Sequence, residues 1–288
     1  MLVFGTMIGS PKKTIVMAKR LLSVLLLAFV FIACSKNPIT GRKQFKLVSE
    51  TELQNMANQQ YNEFLSSNKV VSASVNRDAE MVSRVGKRIS NAVESYYASK
   101  GLSDRLAGYN WEYHLIESKE VNAWCMPGGK IVAYTGLLPI TKNEAALAVV
   151  MGHEVSHALF QHGNERISQG LVQQLGGVAL SVALANKPAE TQNIFLNAYG
   201  IGTTVGVLLP FSRNQELESD HYGLIWAAMA GYNPQEAIPL WERMEAAAQG
   251  SSRPPEFLST HPSEGRRIEQ LKKFMPEALK YYQPVSNK

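Results

Sequence analysis

The segment His153-Glu154-Val155-Ser156-His157 contains the residues whose types and spacing are best suited to chemistry. Residues four apart on an α-helix lie on one face, so His153 and His157 can direct their imidazoles at one metal ion. Zinc suits such nitrogen ligands. Glu154 lies about 100° round the helix, where it can act as general base on a zinc-bound water. The segment therefore predicts hydrolysis of a peptide bond, with Glu154 returning the proton to the leaving amine.

A catalytic zinc needs a third protein ligand and an open position. The best candidates lie on a helix predicted to begin at Ser212, where Glu216 and Asp220 share one face. One can bind the metal while the other accepts a hydrogen bond from a ligand histidine and fixes its tautomer. Glu218 points roughly 200° away from Glu216 and is expected to be solvated. We therefore predict one Zn²⁺ per chain.

Two further residues are candidates for accessory roles. His261, which precedes Pro262 at a predicted helix start, could approach the zinc, stabilise the oxyanion of the tetrahedral intermediate, or make a structural hydrogen bond. Arg213 could order Glu216 or Asp220, or simply cover the start of its helix. The other histidines are expected to be structural: His114, His162 and His221.

Helix-start signals place these residues on helices. Capping boxes are predicted at Ser49–Glu52, Thr141–Glu144 and Ser212–Gln215, and Asn233-Pro234 supplies a cap followed by a proline at the first helical position. The first box opens a helical pattern that continues to about Tyr97, and a last helix is expected after Ser263.

A change to strand-like alternation precedes the His153 helix. Strands are predicted at 111–116, 121–126 and 130–135, with a turn at Pro127-Gly128-Gly129 between the last two. We expect an α+β fold that is mainly α-helical, with a small antiparallel sheet beside the active-site helix.

The N-terminal residues resemble an export signal. Lys19 and Arg20 precede an apolar run of about 13 residues that ends at Cys34, which is the pattern of a lipoprotein signal with Cys34 as lipid anchor. An uncleaved signal anchor is the alternative, and Met17 could be the true start. We therefore predict a signal peptide at 1–33, a tether at 34–48 and a metallopeptidase domain at 49–288.

Charge and cysteine content exclude other classes. The net charge is +5, but residues 1–33 hold four basic residues and no acid, so the remainder carries only +1 and does not favour nucleic-acid binding. If Cys34 carries lipid, Cys125 has no partner for a disulfide and is expected to be buried or shielded. The apolar segment 194–211 predicts a buried or lid-like helix, or a segment that contacts the membrane.

Four blocks of the chain resemble a known family. They are Asn122–Gly129 with Thr135–Leu138, HEVSHALFQHGNER from His153, SRNQELESD from Ser212, and Thr260–Ser263 with Arg266–Ile268. The chain is similar to the membrane-associated zinc endopeptidases (gluzincins) that include the heat-shock protease HtpX and the CAAX prenyl proteases. It is most similar to their exported bacterial relatives of the BepA, LoiP and YcaL type. Ser219 replaces the usual alanine before the family's aspartate, and Trp124 and Cys125 stand where phenylalanine and alanine are frequent.

The resemblance implies roles for individual residues. It maps the family's Glu-x-x-x-Asp pattern onto Glu216 as metal ligand and Asp220 as its companion. It also implies that the hairpin containing Asn122, Ala123 and Trp124 supplies an edge strand for an extended polypeptide substrate. The alternative is that these residues only shape the turn.

The resemblance also implies a location and a task. The protein would be anchored through Cys34 in a bacterial cell envelope, at the outer membrane and facing the periplasm. There it would degrade misfolded or unassembled envelope proteins as part of quality control, in possible contact with assembly machinery. An assembly factor that binds unfolded strands in the same groove is the alternative, although Glu154 would then have no purpose. A latent protease blocked by a segment such as 163–210 is also compatible.

Overall fold

The computed structural model describes residues 34–176, 178–201, 211–249, 256–261 and 266–284. The chain divides into two compact units, Met1–Leu47 and Val48–Lys288. In the first unit, strands β1 (Cys34–Lys36) and β2 (Lys43–Phe45) pair antiparallel, with Cys34 opposite Phe45. The predicted tether thus contains a short hairpin that the sequence pattern did not indicate. The predicted leader, 1–33, and Met17 lie outside the described residues.

The second unit is mainly helical. Its α-helices are α1 (Glu50–Ser67), α2 (Arg77–Ser99), α3 (Leu138–Thr141), α4 (Glu144–Leu159), α5 (His162–Leu175), α6 (Leu180–Asn186), α7 (Pro188–Ala198), α8 (Arg213–Met229), α9 (Ala237–Gln249), α10 (Glu256–Thr260) and α11 (Arg267–Ala278). Its strands are β3 (Val70–Val71), β4 (Glu112–Ile116), β5 (Ala123–Met126) and β6 (Lys130–Tyr134). Short 3₁₀ turns lie at Ser103–Leu106, Thr135–Leu137, Pro234–Glu236 and Leu279–Tyr281.

The fold class is the predicted one, and the sheet differs in one pairing. The strand order is β3-β4-β6-β5, and β4 runs parallel to β6, with Glu112 opposite Lys130. The turn at Gly128 and Gly129, both with positive φ, makes β5 and β6 an antiparallel hairpin. Because β6 returns between β5 and β4, the sheet is mixed rather than wholly antiparallel, and β5 is an edge strand.

Two local predictions required correction. The single helical pattern from Ser49 to Tyr97 is interrupted by β3, which pairs with β4. The cap of α4 is Asn143, whose Oδ1 accepts the Ala146 N–H at 2.8 Å, whereas Thr141 ends α3. The boxes at Ser49 and Ser212 are confirmed, since both form reciprocal side-chain and backbone hydrogen bonds.

The apolar segment 194–211 is only partly described, because 202–210 lie outside the described residues. Its first part belongs to α7, where Ile194, Phe195 and Ala198 are buried. Among the described residues no single helix is long and apolar enough to cross a membrane. Only α5 and α6 taken together, with a bend of 53° between them, have sufficient length and apolar composition.

Helix α4 is buried on every side. Each residue from Ala146 to Leu159 is buried, because β5, α2 and α8 all pack against this helix. Such a helix has no face towards solvent, so any polar side chain on it must find partners inside the protein.

Glycines allow α4 and α8 to approach closely. A Cβ added at Gly152 would lie 2.7 Å from the carbonyl oxygen of Gly223, and a Cβ at Gly223 would lie 2.8 Å from the backbone nitrogen of His153. The small residue at 152 therefore allows the two helices to pack closely. The hydrogen bond from Trp226 Nε1 to Ser156 Oγ, at 2.9 Å, also connects α8 with α4.

We predict that Gly223→Ala lowers the free energy of unfolding by about 1–3 kcal/mol, because the added methyl forces two backbones apart. Alanine is otherwise the better helix former by about 1 kcal/mol. Chemical denaturation compares this variant with Asn214→Ala, an exposed position on the same helix. A Gly223→Ala protein as stable as the wild type would contradict the close contact.

Candidate metal centre

The rings of His153 and His157 meet the carboxylate of Glu216 between α4 and α8. The two Nε2 atoms lie 3.0 Å apart, and His157 Nε2 is 3.3 Å from Glu216 Oε1. With His261, the three residues present one ligand atom each within 4.8 Å of one another. All four residues are at most 4% exposed. The structure thus brings together the three predicted ligands and adds His261.

These separations suit a tetrahedral metal ion. Bonds of roughly 2.0–2.1 Å to zinc place neighbouring ligand atoms about 3.3 Å apart. The observed spacings of 3.0 and 3.3 Å agree with that value. A single ion between the three side chains therefore needs only small adjustments of the ligand atoms.

The partner of His153 fixes its tautomer. Asp220 Oδ1 lies 2.9 Å from His153 Nδ1 and accepts its hydrogen, so in the neutral ring Nε2 carries a lone pair. Burial lowers the pKa of His153 well below its ordinary value, which favours the neutral ring. Burial raises the pKa of Asp220 to about 6, against the opposing charge of Arg267, so it is ionised at neutral pH.

His157 has a different partner. Its Nδ1 lies 2.9 Å from Nδ1 of His162, and His162 Nε2 lies 2.9 Å from Glu218 Oε2. The prediction that Glu218 is solvated is wrong, since its side chain is only 14% exposed and bonded to His162. Burial also lowers the pKa of His157 well below its ordinary value.

The ligand atoms of His153, His157 and Glu216 thus form a buried cluster of hydrogen-bond acceptors. The Nε2 atoms of His153 and His157 face each other and a carboxylate oxygen of Glu216. None of the three brings a hydrogen when both rings are neutral and carry their hydrogen on Nδ1. Burial opposes ionisation of Glu216, but His261 and Arg267 outweigh burial and hold its pKa well below its ordinary value. A bound cation would stabilise such a buried cluster of acceptors.

Arg267 is a member of the site to which the sequence assigned no role. Its Nη1 lies 3.0 Å from Glu216 Oε2 and its Nη2 2.5 Å from Asp220 Oδ1, so it joins the two carboxylates of α8. Its guanidinium also lies 3.6 Å from the centre of the Trp241 ring. The family block Arg266-Arg267-Ile268 was the available signal, but it could not indicate which arginine turns inward.

Arg213 occupies another place. It is exposed at the first residue of α8, and the guanidinium on Glu216 and Asp220 is that of Arg267. Of the two alternatives stated for Arg213, its position agrees with the start of the helix.

Glu154 lies beside the cluster with a free carboxylate oxygen. Its Oε1 is buried and makes no hydrogen bond to any residue that the structure describes. His261 Nε2 lies 3.4 Å from this oxygen. Burial, assisted by the charge of Glu216, raises the pKa of Glu154 well above its ordinary value. A carboxyl group of this kind can accept and return a proton near neutral pH.

His261 approaches the metal position itself, which was one of its predicted roles. Its Nδ1 lies 2.9 Å from Glu216 Oε1 and 3.2 Å from His153 Nε2. The ring of Phe211 packs against both His261 and His157, with centroids 5.1 and 3.9 Å apart. In this arrangement His261 stands where a fourth ligand would stand. Its neighbours Pro262 and Ser263 lie outside the described residues.

The predicted substrate strand is buried in the described structure. Asn122 and Ala123 are 3% and 2% exposed, and Asn122 Oδ1 accepts the Ala123 N–H at 2.9 Å. Trp124 packs edge-on against Phe64, at 5.0 Å, and bonds Tyr134 through Nε1. Its indole therefore belongs to an aromatic cluster rather than to a substrate groove. Cys125 is a free thiol, buried as predicted.

Comparison with known proteins identifies a family. The sequence profile of Peptidase family M48 matches residues 83–275. The mitochondrial metalloendopeptidase OMA1 of Schizosaccharomyces pombe is 35% identical over 243 residues, which are 84% of this chain and 66% of that protein. The human mitochondrial metalloendopeptidase OMA1 is 29% identical over 92% of this chain and 51% of its own length. The chain thus spans about half to two thirds of these relatives.

A bacterial relative matches over a shorter part. The beta-barrel assembly-enhancing protease of Escherichia coli is 30% identical over 165 residues, 55% of this chain and 33% of that protein. The family was predicted correctly, but a special similarity to exported bacterial lipoproteins is not confirmed.

The predicted location at a bacterial outer membrane is wrong by this comparison. The relatives that match over most of the chain are named as mitochondrial enzymes, from fission yeast, cattle and humans. An apolar run before a cysteine is a weak signal, because several kinds of targeting segment share that composition. The prediction that Cys34 carries a lipid is not supported by these relatives.

We predict that Arg267→Gln weakens metal binding by about tenfold or more, because Glu216 and Asp220 lose the charge that supports their ionisation. Arg266→Gln is the matched control, since Arg266 is the neighbouring arginine but is exposed. Metal content after dialysis against a weak chelator measures the effect. Equal retention by both variants would contradict the role of Arg267.

Proposed function

The chain belongs to peptidase family M48, and from this premise we propose that it is a zinc-dependent endopeptidase. The family match confirms the predicted class, a metallopeptidase. The single observation that carries the proposal is the buried meeting of His153 Nε2, His157 Nε2 and Glu216 Oε1 at spacings of 3.0 and 3.3 Å. Two imidazoles and one carboxylate are the ligand set of many catalytic zinc sites.

Zinc in this position would supply a Lewis acid that acidifies water and polarises the carbonyl group to be cleaved. Glu154 takes the proton from the attacking water, because its Oε1 is buried beside the cluster without a hydrogen bond from the described residues. The same carboxyl group then gives the proton to the leaving amine. Its raised pKa suits both steps.

Other residues of the chain support this chemistry. Asp220 and Arg267 orient His153 and Glu216, through contacts of 2.9 and 3.0 Å. His261 Nε2 lies 3.4 Å from Glu154 Oε1, so a small movement would let it donate to the oxyanion of the tetrahedral intermediate.

We propose that the substrates are extended segments of unfolded or unassembled polypeptides. Strand β5 is at the edge of its sheet and packs against α4, the helix that carries Glu154. An edge strand can bind an extended peptide through backbone hydrogen bonds. Ala123 begins this strand and Asn122 precedes it. Both residues are buried, so the substrate can bind here only if the segments that cover them move.

A latent form of the same enzyme is favoured by the position of His261. A fourth protein ligand leaves no open position for water, and His261 Nδ1 already lies 3.2 Å from His153 Nε2. The segment expected to block the site, 163–210, contributes less directly, since its described part places no ligand atom in the cluster. A pure binding protein is less favoured, because binding would not require Glu154.

We predict that Glu154→Gln retains zinc but cleaves an unfolded protein about 10²–10⁴-fold more slowly, because the ligands stay while the base is lost. Zinc content and cleavage of a reduced, unfolded protein are measured on the same preparation. Glu242→Gln, an exposed position on α9, is the control. Normal turnover by Glu154→Gln would exclude the proposed mechanism, and wild type that binds zinc without cleaving would favour the binding protein.

A further inference from the structure

The contacts behind His157 form a line of three side chains, His157–His162–Glu218, that leads away from the metal position. We propose that His162 and Glu218 are positioning residues, which hold His157 with its Nε2 lone pair towards the metal. This inference rests on the proposed zinc site. Each contact is 2.9 Å, and His162 is fully buried.

Glu218, the residue of this line farthest from the metal position, determines which nitrogen atoms donate hydrogen bonds. The carboxylate of Glu218 can only accept, so His162 Nε2 carries the hydrogen that it donates. In the neutral ring the other nitrogen, Nδ1, is then an acceptor. It faces His157 Nδ1 at 2.9 Å and Ser219 Oγ at 3.4 Å. Donation by the nearer group, His157 Nδ1, leaves His157 Nε2 without a hydrogen. Glu218 thus determines, through one intervening ring, which atom of His157 is available to a metal.

A break between two helices makes the line possible. His162 is five residues after His157, a spacing that on a continuous helix would turn it away from the ligand face. Helix α4 ends at Leu159, and Gln161 adopts a left-handed conformation with φ of 55°. Helix α5 then begins at His162, whose ring centroid lies 4.9 Å from that of His157. The break between the helices is therefore what brings the second ring behind the first.

The two ligand histidines are thus oriented by different means. His153 donates directly to Asp220, a carboxylate that also binds Arg267. Among the described residues no carboxylate contacts His157 Nδ1, which is linked to Glu218 through His162. Hydrogen bonds of this kind typically change metal affinity by about 10–100-fold when they are lost. A ring that served packing alone would not need an acceptor at Nδ1.

The test compares substitutions of His162 that differ in hydrogen bonding. Phenylalanine keeps a ring beside Phe160 and removes the acceptor, whereas the side-chain amide of asparagine can place an acceptor oxygen near the position of Nδ1. The dissociation constant of Zn²⁺ alone is measured by competition with a coloured chelator, on the full chain. We expect His162→Phe to raise it about 10–100-fold and His162→Asn to stay within about threefold of wild type.

Glu218 is tested in the same assay through a double-mutant cycle. Glu218→Leu should weaken Zn²⁺ binding several-fold in the wild-type background and have almost no effect in His162→Phe, because it acts through that ring. His221→Phe is the matched control. His221 lies on the same helix as Glu218 and also pairs with a carboxylate, that of Glu277 at 2.8 Å, but it does not contact the metal ligands.

The outcomes separate the two proposals. Three results would each overturn the positioning role. The first is equal Zn²⁺ affinity in His162→Phe and wild type, and the second is equal weakening by His162→Phe and His162→Asn. The third is additive effects of Glu218→Leu and His162→Phe. In those cases wild-type Zn²⁺ binding still stands. Wild-type protein that takes up no Zn²⁺ would overturn the proposed function, and this inference with it.

Discussion

The arrangement of the second unit depends on one constraint, that three carboxylates are buried at the same place. Glu154, Glu216 and Asp220 are each at most 5% exposed, and Arg267 is the arginine that contacts two of them. Buried charges must be paired, since an isolated one costs far more than a hydrogen bond returns. Burial raises the pKa of Glu154 well above its ordinary value, which favours its protonated form. Glu216 and Asp220 share the guanidinium of Arg267, and the proposed Zn²⁺ would offset the negative charge that remains.

The helices around the cluster are organised to meet this requirement. Gly152 and Gly223 let α4 and α8 touch through their backbones, so that the histidines of one helix reach Glu216 on the other. Arg267 arrives from α11 and lies over Trp241, so its side chain is held by stacking as well as by charge. Each ligand has an oriented partner, and this preorganisation keeps the separations between ligand atoms close to those that zinc needs.

Much of the site could be predicted because its information is local. The four-residue spacings of His153 with His157 and of Glu216 with Asp220 follow from helix geometry. The Ser212 capping box correctly predicted the start of α8, the helix that carries Glu216. The same logic misplaced the cap of α4 by two residues, at Thr141 instead of Asn143. It failed where distant residues decide, since no periodicity shows that β6 returns between β5 and β4. Arg267 and the line through His162 to Glu218 depend on tertiary packing and on the break at Gln161.

The most direct measurement is a crystal structure of the protein grown with zinc, with diffraction recorded on both sides of the zinc absorption edge. We expect one anomalous peak within about 2.0–2.1 Å of His153 Nε2, His157 Nε2 and a Glu216 carboxylate oxygen. Asp220 and His162 should remain hydrogen-bonded to the outer nitrogens of the two histidines. A zinc ion bound elsewhere, or the absence of zinc between these three side chains at saturating zinc, would contradict the proposed metal centre.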